Sequence, residues 1–338
     1  MVVEEAMQSP QRTAAEALDR LLEASVVGSF TRVGYEVRSR MEHWDGLGDR
    51  DLSGRTIAIT GATSGLGRAA AGRLAAMGAD LVLVARDPAK AAVVVDELDA
   101  LGSGSVRFEH ADMGEPAQVR RAAESIADSV GSLDVLVHNA GALSNQYLTN
   151  SAGVEMTVAS QVHGPFLLTA LLLDSLRAAG PGRVITMSSG GMYTQALRVG
   201  GLEMGPDEYR GSVAYARAKR AQVALNEMWA RRTAPGEVVF HALHPGWADT
   251  PGVSASLPLF RRLMGPALRT PEQGADTLVW LCADDAVVPH CSGLFWHDRR
   301  VRRTHALPST AGDDESERLE LWLACEAATG VHPHPASP

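Results

Sequence analysis

The chain has little cysteine, no excess of positive charge and no long apolar run, and each shortage excludes something. Its three cysteines (Cys282, Cys291, Cys325) lie far apart without a Cys-x-x-Cys pair, and an odd number leaves one thiol unpaired in any disulfide scheme. That pattern argues against a disulfide scaffold and a structural zinc site, and it suits a reducing cytoplasm. The net charge of −9 argues against nucleic acid as a general partner, which would need a basic field. No run approaches the roughly 20 apolar residues that span a bilayer. Met1 to Pro10 carries early acids and no apolar signal core. A soluble, cytoplasmic protein is expected, at most peripheral to a membrane, with no metal.

What is present is enough for a sizeable core: 338 residues, 45% of them hydrophobic, a length between one large domain and two. The organising stretch is Arg55 to Arg68. Its apolar run Ile57 to Ile59, edged by threonines, predicts a strand buried on both faces. Glycines follow at Gly61-x3-Gly65-x-Gly67, and the alanine-rich run Ala69 to Met77 predicts a helix. A strand, a turn with few side chains and a helix N-terminus form a corner where backbone N–H groups and the helix dipole favour a phosphate. The same glycines also suit a tight turn with no ligand.

Strand and helix then alternate. Strands are expected at Thr56–Thr60, Asp80–Ala85, Ser105–His110, Leu133–His138, Arg183–Met187, Glu237–Leu243 and Gly293–His297. Helices are expected from about Gly65 to Met77, Pro88 to Leu101, Glu115 to Val130, Val154 to Ala179, Ser212 to Arg231 and Pro271 to Cys282. Repeated strand–helix units with uncharged strands predict an α/β, doubly wound parallel sheet of Rossmann type, a single domain over residues 51–303. Residues 1–50 read as a helical extension, with Leu18, Leu21, Leu22, Val26 and Val27 at helical spacing, then Phe30, Val33 and Tyr35 among arginines. Packing on the core or an oligomer contact is expected there ahead of a helix lying in a membrane interface. Residues 304–338 are expected to hold one amphipathic helix (Glu315 to Ala327) and a disordered His332–Pro335 end.

Ligands of an open α/β sheet sit beyond the carboxyl ends of the strands. Small and polar residues collect there: Gly61, Arg86, Asp112, Asn139-Ala140-Gly141, Ser188-Ser189 and His244-Pro245-Gly246. Tyr215 and Lys219, four apart, share one helix face. A free phenol has a pKa near 10, and a neighbouring ammonium would lower it toward a useful acid/base range.

Together the glycine corner, Asn139-Ala140-Gly141, Ser188-Ser189, Tyr215-x3-Lys219 and Pro245-Gly246 resemble the short-chain dehydrogenase/reductase family. The resemblance covers about residues 53 to 300. The runs Val184 to Met192 and His244 to Val253, with Gln273 to Thr277, are similar to the branch near the retinol dehydrogenase-like enzymes. The resemblance implies Tyr215 as proton donor or base, and Lys219 on the nicotinamide ribose. Ser189, ahead of Ser188, would hydrogen-bond the substrate oxygen. It implies cofactor binding by Gly61, Thr63, Ser64, Gly65, Leu66 and Gly67 at the corner. Asp112 and Met113 would lie at the adenine, Asn139, Ala140 and Gly141 on the adenosine side, and Pro245, Gly246 and Thr250 along the nicotinamide. Two departures stand out. Gln161 occupies the place of an asparagine that helps hold a proton-relay water, and the gap from Ser189 to Tyr215 is long, so Met192 to Ser212 reads as an inserted loop at the substrate mouth.

Cofactor choice follows from charge. NAD sites place an acid at the end of the second strand, whereas here Ala85 is followed by Arg86, which can pair with a 2′-phosphate. NADP(H) is expected, with NAD(H) as the alternative; Arg86 paired with Asp87 as a solvated loop residue is the rival reading. His241 and His244, three apart in a strand, face opposite sides and are expected to be structural. Arg299-Arg300-Val301-Arg302-Arg303 is expected to be a solvated face. Trp247 with Leu257 to Met264, broken by prolines and glycines, suits a mobile lid or ordinary packing. The expected function is NADP(H)-dependent interconversion of a carbonyl and an alcohol on a small lipophilic substrate, in a chain that could form a homo-oligomer. The alternative is an NADP(H)-binding regulatory or scaffold protein with little turnover.

Overall fold

The computed structural model describes residues 10–101, 104–234, 236–306, 310 and 312–333. The beginning of the extension and the second half of the His332–Pro335 end therefore lie outside the described residues.

An eight-stranded sheet forms the centre, in the order β3-β2-β1-β4-β5-β6-β7-β8. Its strands are β1 (Thr56–Thr60), β2 (Asp80–Ala85), β3 (Val106–His110), β4 (Val135–His138), β5 (Gly182–Met187), β6 (Val238–Leu243), β7 (Leu294–His297) and β8 (Arg300–Val301). All pair in parallel except β7 with β8. The central strands are the buried ones: every residue of β4, β5 and β6 is buried, Arg183 of β5 included, whose guanidinium bonds Leu281 O, Cys282 O and Asp285. β3, with Arg107 and Glu109, takes the edge and is only partly buried. The order of the strands reverses direction at β1, which puts the glycine corner at the crevice between β1 and β4.

Helices cover both faces. One face packs Ile57, Ile59 and Trp296 against α4 (Gly65–Ala76) and α11 (Pro271–Ala283), through Leu74 and Leu278. The other packs Leu136 and Phe240 against α6 (Pro116–Ser129), α7 (Met156–Ala179) and α8 (Gly211–Arg232). Between them in sequence, α5 (Pro88–Asp99) starts at Pro88 and is capped by Asp87, which accepts from Lys90 N at 3.1 Å. α7 is long and apolar enough by composition to cross a membrane, a run missed above, but two-thirds of it is buried inside the protein.

Inside α7 the residues Ala159–His163 widen into a π-helical turn. Pro165 has no N–H to donate to Gln161 O, so the regular ladder fails there. Gln222 Nε2 of α8 donates to that carbonyl instead, at 2.7 Å.

The terminal segments are more integrated than appendages. α12 (Glu315–Thr329) carries Leu321, Trp322 and Cys325 into the core, with Trp322 5.0 Å from the Phe166 ring and 4.8 Å from that of Trp229. The extension forms α1 (Pro10–Ala24), α2 (Val26–Phe30) and α3 (Arg32–Met41) and packs on the core. The arginine run expected to be solvated is a correction. Arg299 and Arg302 are 7% and 9% exposed, bound to Asp276 and Asp45 and to Asp19 respectively. Arg300 pairs with Asp19 and Glu42. These arginines fasten the extension to the β7–β8 hairpin, so what reads as a polar strip is an internal seam.

Asp298, 1% exposed, closes that seam by accepting from Arg38 Nη1 at 2.7 Å and Arg269 Nη1 at 2.6 Å. Burial alone would raise its pKa, yet His297, Arg269 and Arg38 hold it far below the usual carboxylate range. A depressed pKa adds stability above the unfolded carboxylate pKa near 4, and that stability is lost as pH falls below it. Asp298→Asn should cost about 3 kcal/mol, the lower end for breaking a buried pair, because Arg38 keeps Asp19 and Glu23. Urea midpoints at pH 7 and pH 2.5 check this, and the gap between variant and parent should narrow at pH 2.5.

Candidate active site

The glycine corner has the expected shape. Gly61 sits at φ +70 and Gly65 at φ +53, where side chains are strained. A Cβ on Gly67 would come 2.5 Å from Gly61 O, so the first turn of α4 lies directly on the end of β1. Asn139 locks this arrangement from β4: its Nδ2 donates to Thr60 O at 3.0 Å and Gly61 O at 3.1 Å. Thr60 Oγ1 accepts from the backbone N–H groups of Asn139 and Ala140, both at 3.0 Å. Asn139 and Ala140 thus hold the corner together rather than face outward. Ser64 is exposed and Thr63 half-buried at the mouth of the turn, while Leu66 turns inward toward Gly274.

The proton-handling residues meet at the ends of β5 and in the first turns of α8. Ser188 is 2% exposed and donates to Lys219 O at 3.0 Å, a packing role. Ser189 is the serine whose side chain lies beside that of Tyr215, and its Oγ accepts from Gly191 N at 3.2 Å. Lys219 Nζ lies 5.3 Å from the centre of the Tyr215 ring and donates to Met187 O at 2.9 Å.

The electrostatics differ from expectation. Burial pushes the Tyr215 phenol above its ordinary value and only the neighbouring Ser189 hydroxyl opposes this, so the lysine does not lower it. Lys219, 2% exposed, is itself brought down from 10.5 to about 7 by burial. An amine half discharged at neutral pH is a weak field source for its neighbour.

Gln161 is 1% exposed and donates to Ala142 O at 2.9 Å, while its Oε1 has no hydrogen-bond partner among the described residues. That oxygen and the lysine amine flank Gly141: a Cβ there would lie 2.9 Å from Gln161 Oε1 and 3.1 Å from Lys219 Nζ. An orphaned acceptor beside a donor with spare protons marks a polar niche.

Around the corner, Arg86 is 75% exposed and 3.9 Å from Asp112 Oδ2, beyond hydrogen-bond reach, while Asp87 is occupied as a helix cap. Asp112 Oδ1 accepts from Gly114 N at 2.9 Å. The Met113 side chain is buried in the core and its carbonyl packs on Gly164, which leaves its backbone N–H to meet a ligand. Thr250 faces Gly65 across the corner, where a Cβ on Gly65 would come 3.4 Å from it, and caps α9 (Pro251–Ser256) by accepting from Val253 N. Neither α9 nor α10 (Pro258–Met264) has a buried residue, and Leu259 and Leu263 are exposed. These short helices therefore overhang the site without joining the core. The stretch 192–212 is anchored by buried Leu197, Leu202 and Met204.

His241 and His244 face opposite ways, as expected. His241 accepts from Trp296 Nε1 at 3.0 Å, and His244 stacks on His297 at 3.8 Å. Among the described residues no group of histidine, cysteine and acids could hold a metal. Two contributors escaped the sequence reading: Arg269, which donates to Pro245 O at 3.2 Å, and Phe30, which packs against Gly190 and accepts from Trp247 N at 2.7 Å. Neither sits in a local motif.

Comparison with known proteins agrees with this geometry. Residues 55–257 match the family described as short chain dehydrogenase. The chain is 36% identical to human dehydrogenase/reductase SDR family member 12 over 293 residues, 86% of this chain and 91% of that protein. Mouse retinol dehydrogenase 14 is 31% identical, over 86% of this chain and 91% of its own length. Among solved structures, a short chain dehydrogenase from Escherichia coli CFT073 complexed with NADPH is similar with a TM-score of 0.60 at 23% identity, covering 74% of this chain and 98% of that one. An oxidoreductase from E. coli is similar with a TM-score of 0.61 at 24% identity, covering 76% and 100%. These two likenesses concern the fold.

Proposed function

Because the chain belongs to the short-chain dehydrogenase/reductase family and is an NAD(P)-dependent oxidoreductase acting on CH–OH groups, we propose that it uses NADP(H) to reduce the carbonyl of a small lipophilic substrate. The observation that carries the reading is the placement of Ser189 and Lys219 beside the Tyr215 side chain, with Tyr215 kept protonated by burial. A neutral phenol is the form that gives a proton, which favours carbonyl reduction over alcohol oxidation at neutral pH.

The residues present fit the dinucleotide. The bare corner Gly61–Gly67 would receive the pyrophosphate at the N-terminus of α4. The niche at Gly141, with Gln161 Oε1 and Lys219 Nζ, would receive the ribose hydroxyls. When bound, NADP(H) supplies the hydride. Ser189 Oγ orients the substrate oxygen, Tyr215 Oη donates the proton to it, and Lys219 Nζ holds the ribose. The exposed Arg86, paired with Asp112 at 3.9 Å, would take the 2′-phosphate. The overhanging α9 and α10, with Leu257, Leu259 and Leu263, would cover an apolar substrate. Cytoplasmic residence belongs to the same proposal and rests on three free thiols, two of them buried.

The test is an NADPH-oxidation screen with aldehydes, steroids and quinones. Turnover with none of them would count against the enzyme reading. Turnover equally fast with NADH would defeat the cofactor choice. Arg86→Ala should raise the dissociation constant for NADPH about tenfold, the loss of one charge-assisted contact of about 1.4 kcal/mol, and leave that for NADH within twofold, both followed by nucleotide fluorescence.

A further inference from the structure

We propose that Phe30, in the N-terminal extension, is a positioning residue for the reaction: it fixes the turn that carries Ser189 relative to the turn that carries Pro245 and Gly246. The inference rests on the roles given above to Ser189 and Tyr215.

Phe30 touches both turns with different atoms. Its ring lies against the backbone just after Ser189, so closely that a Cβ on Gly190 would come 2.5 Å from Phe30 Cε2. Its carbonyl lies against the other turn, where it accepts from Trp247 N at 2.7 Å, and a Cβ on Gly246 would come 2.7 Å from Phe30 O. The ring also meets His244 edge-on at 4.3 Å and Trp247 at 5.8 Å. Glycine at 190 and 246 is thus what lets an outside segment approach the ends of β5 and β6.

The wedge is held from behind by a buried cation. Arg269, 1% exposed, donates to Ser29 O at 2.8 Å, Phe30 O at 3.1 Å and Thr31 O at 3.2 Å. The same guanidinium binds Pro245 O and Asp298, and Asp298 also takes Arg38 of the extension. Three consecutive carbonyls gripped by one side chain leave the segment little freedom to slide. Displacement of Gly190 would pass straight to Ser189, because Ser189 Oγ is bonded to Gly191 N and lies beside the Tyr215 side chain.

The experiment uses the full chain with Phe30→Leu, Phe30→Ala, Gly190→Ala and the Phe30→Leu/Gly190→Ala double variant. With NADPH and the best carbonyl from the screen, Phe30→Leu should lower kcat about tenfold, and Phe30→Ala on the order of a hundredfold, as for small misplacements of reacting groups. NADPH affinity should stay within twofold of the parent. Gly190→Ala should restore part of the lost kcat in the Phe30→Leu background, since the added methyl fills the vacated space. A second readout needs no turnover. In protein labelled with ¹³Cζ-tyrosine, the Tyr215 resonance, assigned with Tyr215→Phe, should move in Phe30→Leu toward its position in Ser189→Ala. A folded, NADPH-binding Phe30→Leu protein with unchanged kcat and an unmoved Tyr215 resonance would overturn the proposal. If no carbonyl is turned over, the proposed function fails while the resonance still decides the role of Phe30. If Phe30→Ala does not fold, Phe30→Leu decides alone.

Discussion

Tyr215→Phe is expected to lower kcat/KM for carbonyl reduction by about 10³-fold while the NADPH dissociation constant changes less than threefold. The substitution removes one oxygen and keeps the ring. The lost oxygen is the proton donor, and positioned acid/base groups contribute on the order of 10²–10⁴ in rate. The upper part of that range applies because Ser189 has no proton to spare once it bonds the substrate oxygen, and Lys219 Nζ, 5.3 Å from the centre of the Tyr215 ring, is engaged with Met187 O and the ribose. A fall in kcat with little change in substrate KM would mark an interaction made only in the transition state. The pH dependence has a stated sign. Burial raises the phenol's pKa, so the acidic form persists through neutrality and reduction should hold its rate past pH 8 before falling at higher pH. A variant with more than a tenth of the parent's activity would remove Tyr215 from the chemistry.

Lys219→Met should stabilise the ligand-free protein while it abolishes turnover. Burial lowers this amine from 10.5 to about 7, which means folding opposes its charge. Each pKa unit is worth about 1.4 kcal/mol, so at pH 7 the amine costs on the order of 4 kcal/mol. Losing the hydrogen bond to Met187 O returns about 1 kcal/mol of that. Met keeps the apolar stem in a site only 2% exposed, and the net gain at pH 7 should be about 2–3 kcal/mol. The sign can be checked against pH. A lowered lysine pKa costs stability fully at and below pH 7, and the cost fades as pH rises toward 10.5, so the advantage of Lys219→Met should shrink over that window. Urea midpoints at pH 7 and pH 9.5 measure it. A destabilised variant at pH 7 would mean that the ammonium is well solvated in the folded protein. A group kept at a loss to stability is one kept for function.

The central sheet was legible because its signals are local. Strands such as Leu81 to Val84 carry no charge, and Gly78, at φ +92, closes α4 where the sequence placed a stop. Observed ends fall within two residues of those expected for every strand from β1 to β7. The Tyr215 and Lys219 pair was readable because four residues on a helix set their separation. What was not legible depends on partners far along the chain. Arg299 and Arg302 look like solvent-facing charge until Asp276 and Asp19 are brought to them by the fold. Phe30 reads as one more apolar residue of an extension, since Gly190 and Trp247 are remote in sequence. The π-helical turn had a trace in Gly164-Pro165, but a proline also suits an ordinary kink, and only Gln222 distinguishes the two. The sign of the pKa shift at Tyr215 was misjudged because proximity of a lysine was visible and its own desolvation was not.

The bond from Arg38 to Asp298 joins residues 260 positions apart. On a ribosome, Arg38 can reach Asp19 and Glu23 as soon as the extension emerges, whereas Asp298 is made only when the last strands appear. Closing so wide a loop is a late and slow event, because its entropy must be met before the contact rewards it. The working site is therefore finished late, with only α12 still to follow, and a nascent chain stalled before the β7–β8 hairpin would carry a complete nucleotide corner with an unbraced reaction centre.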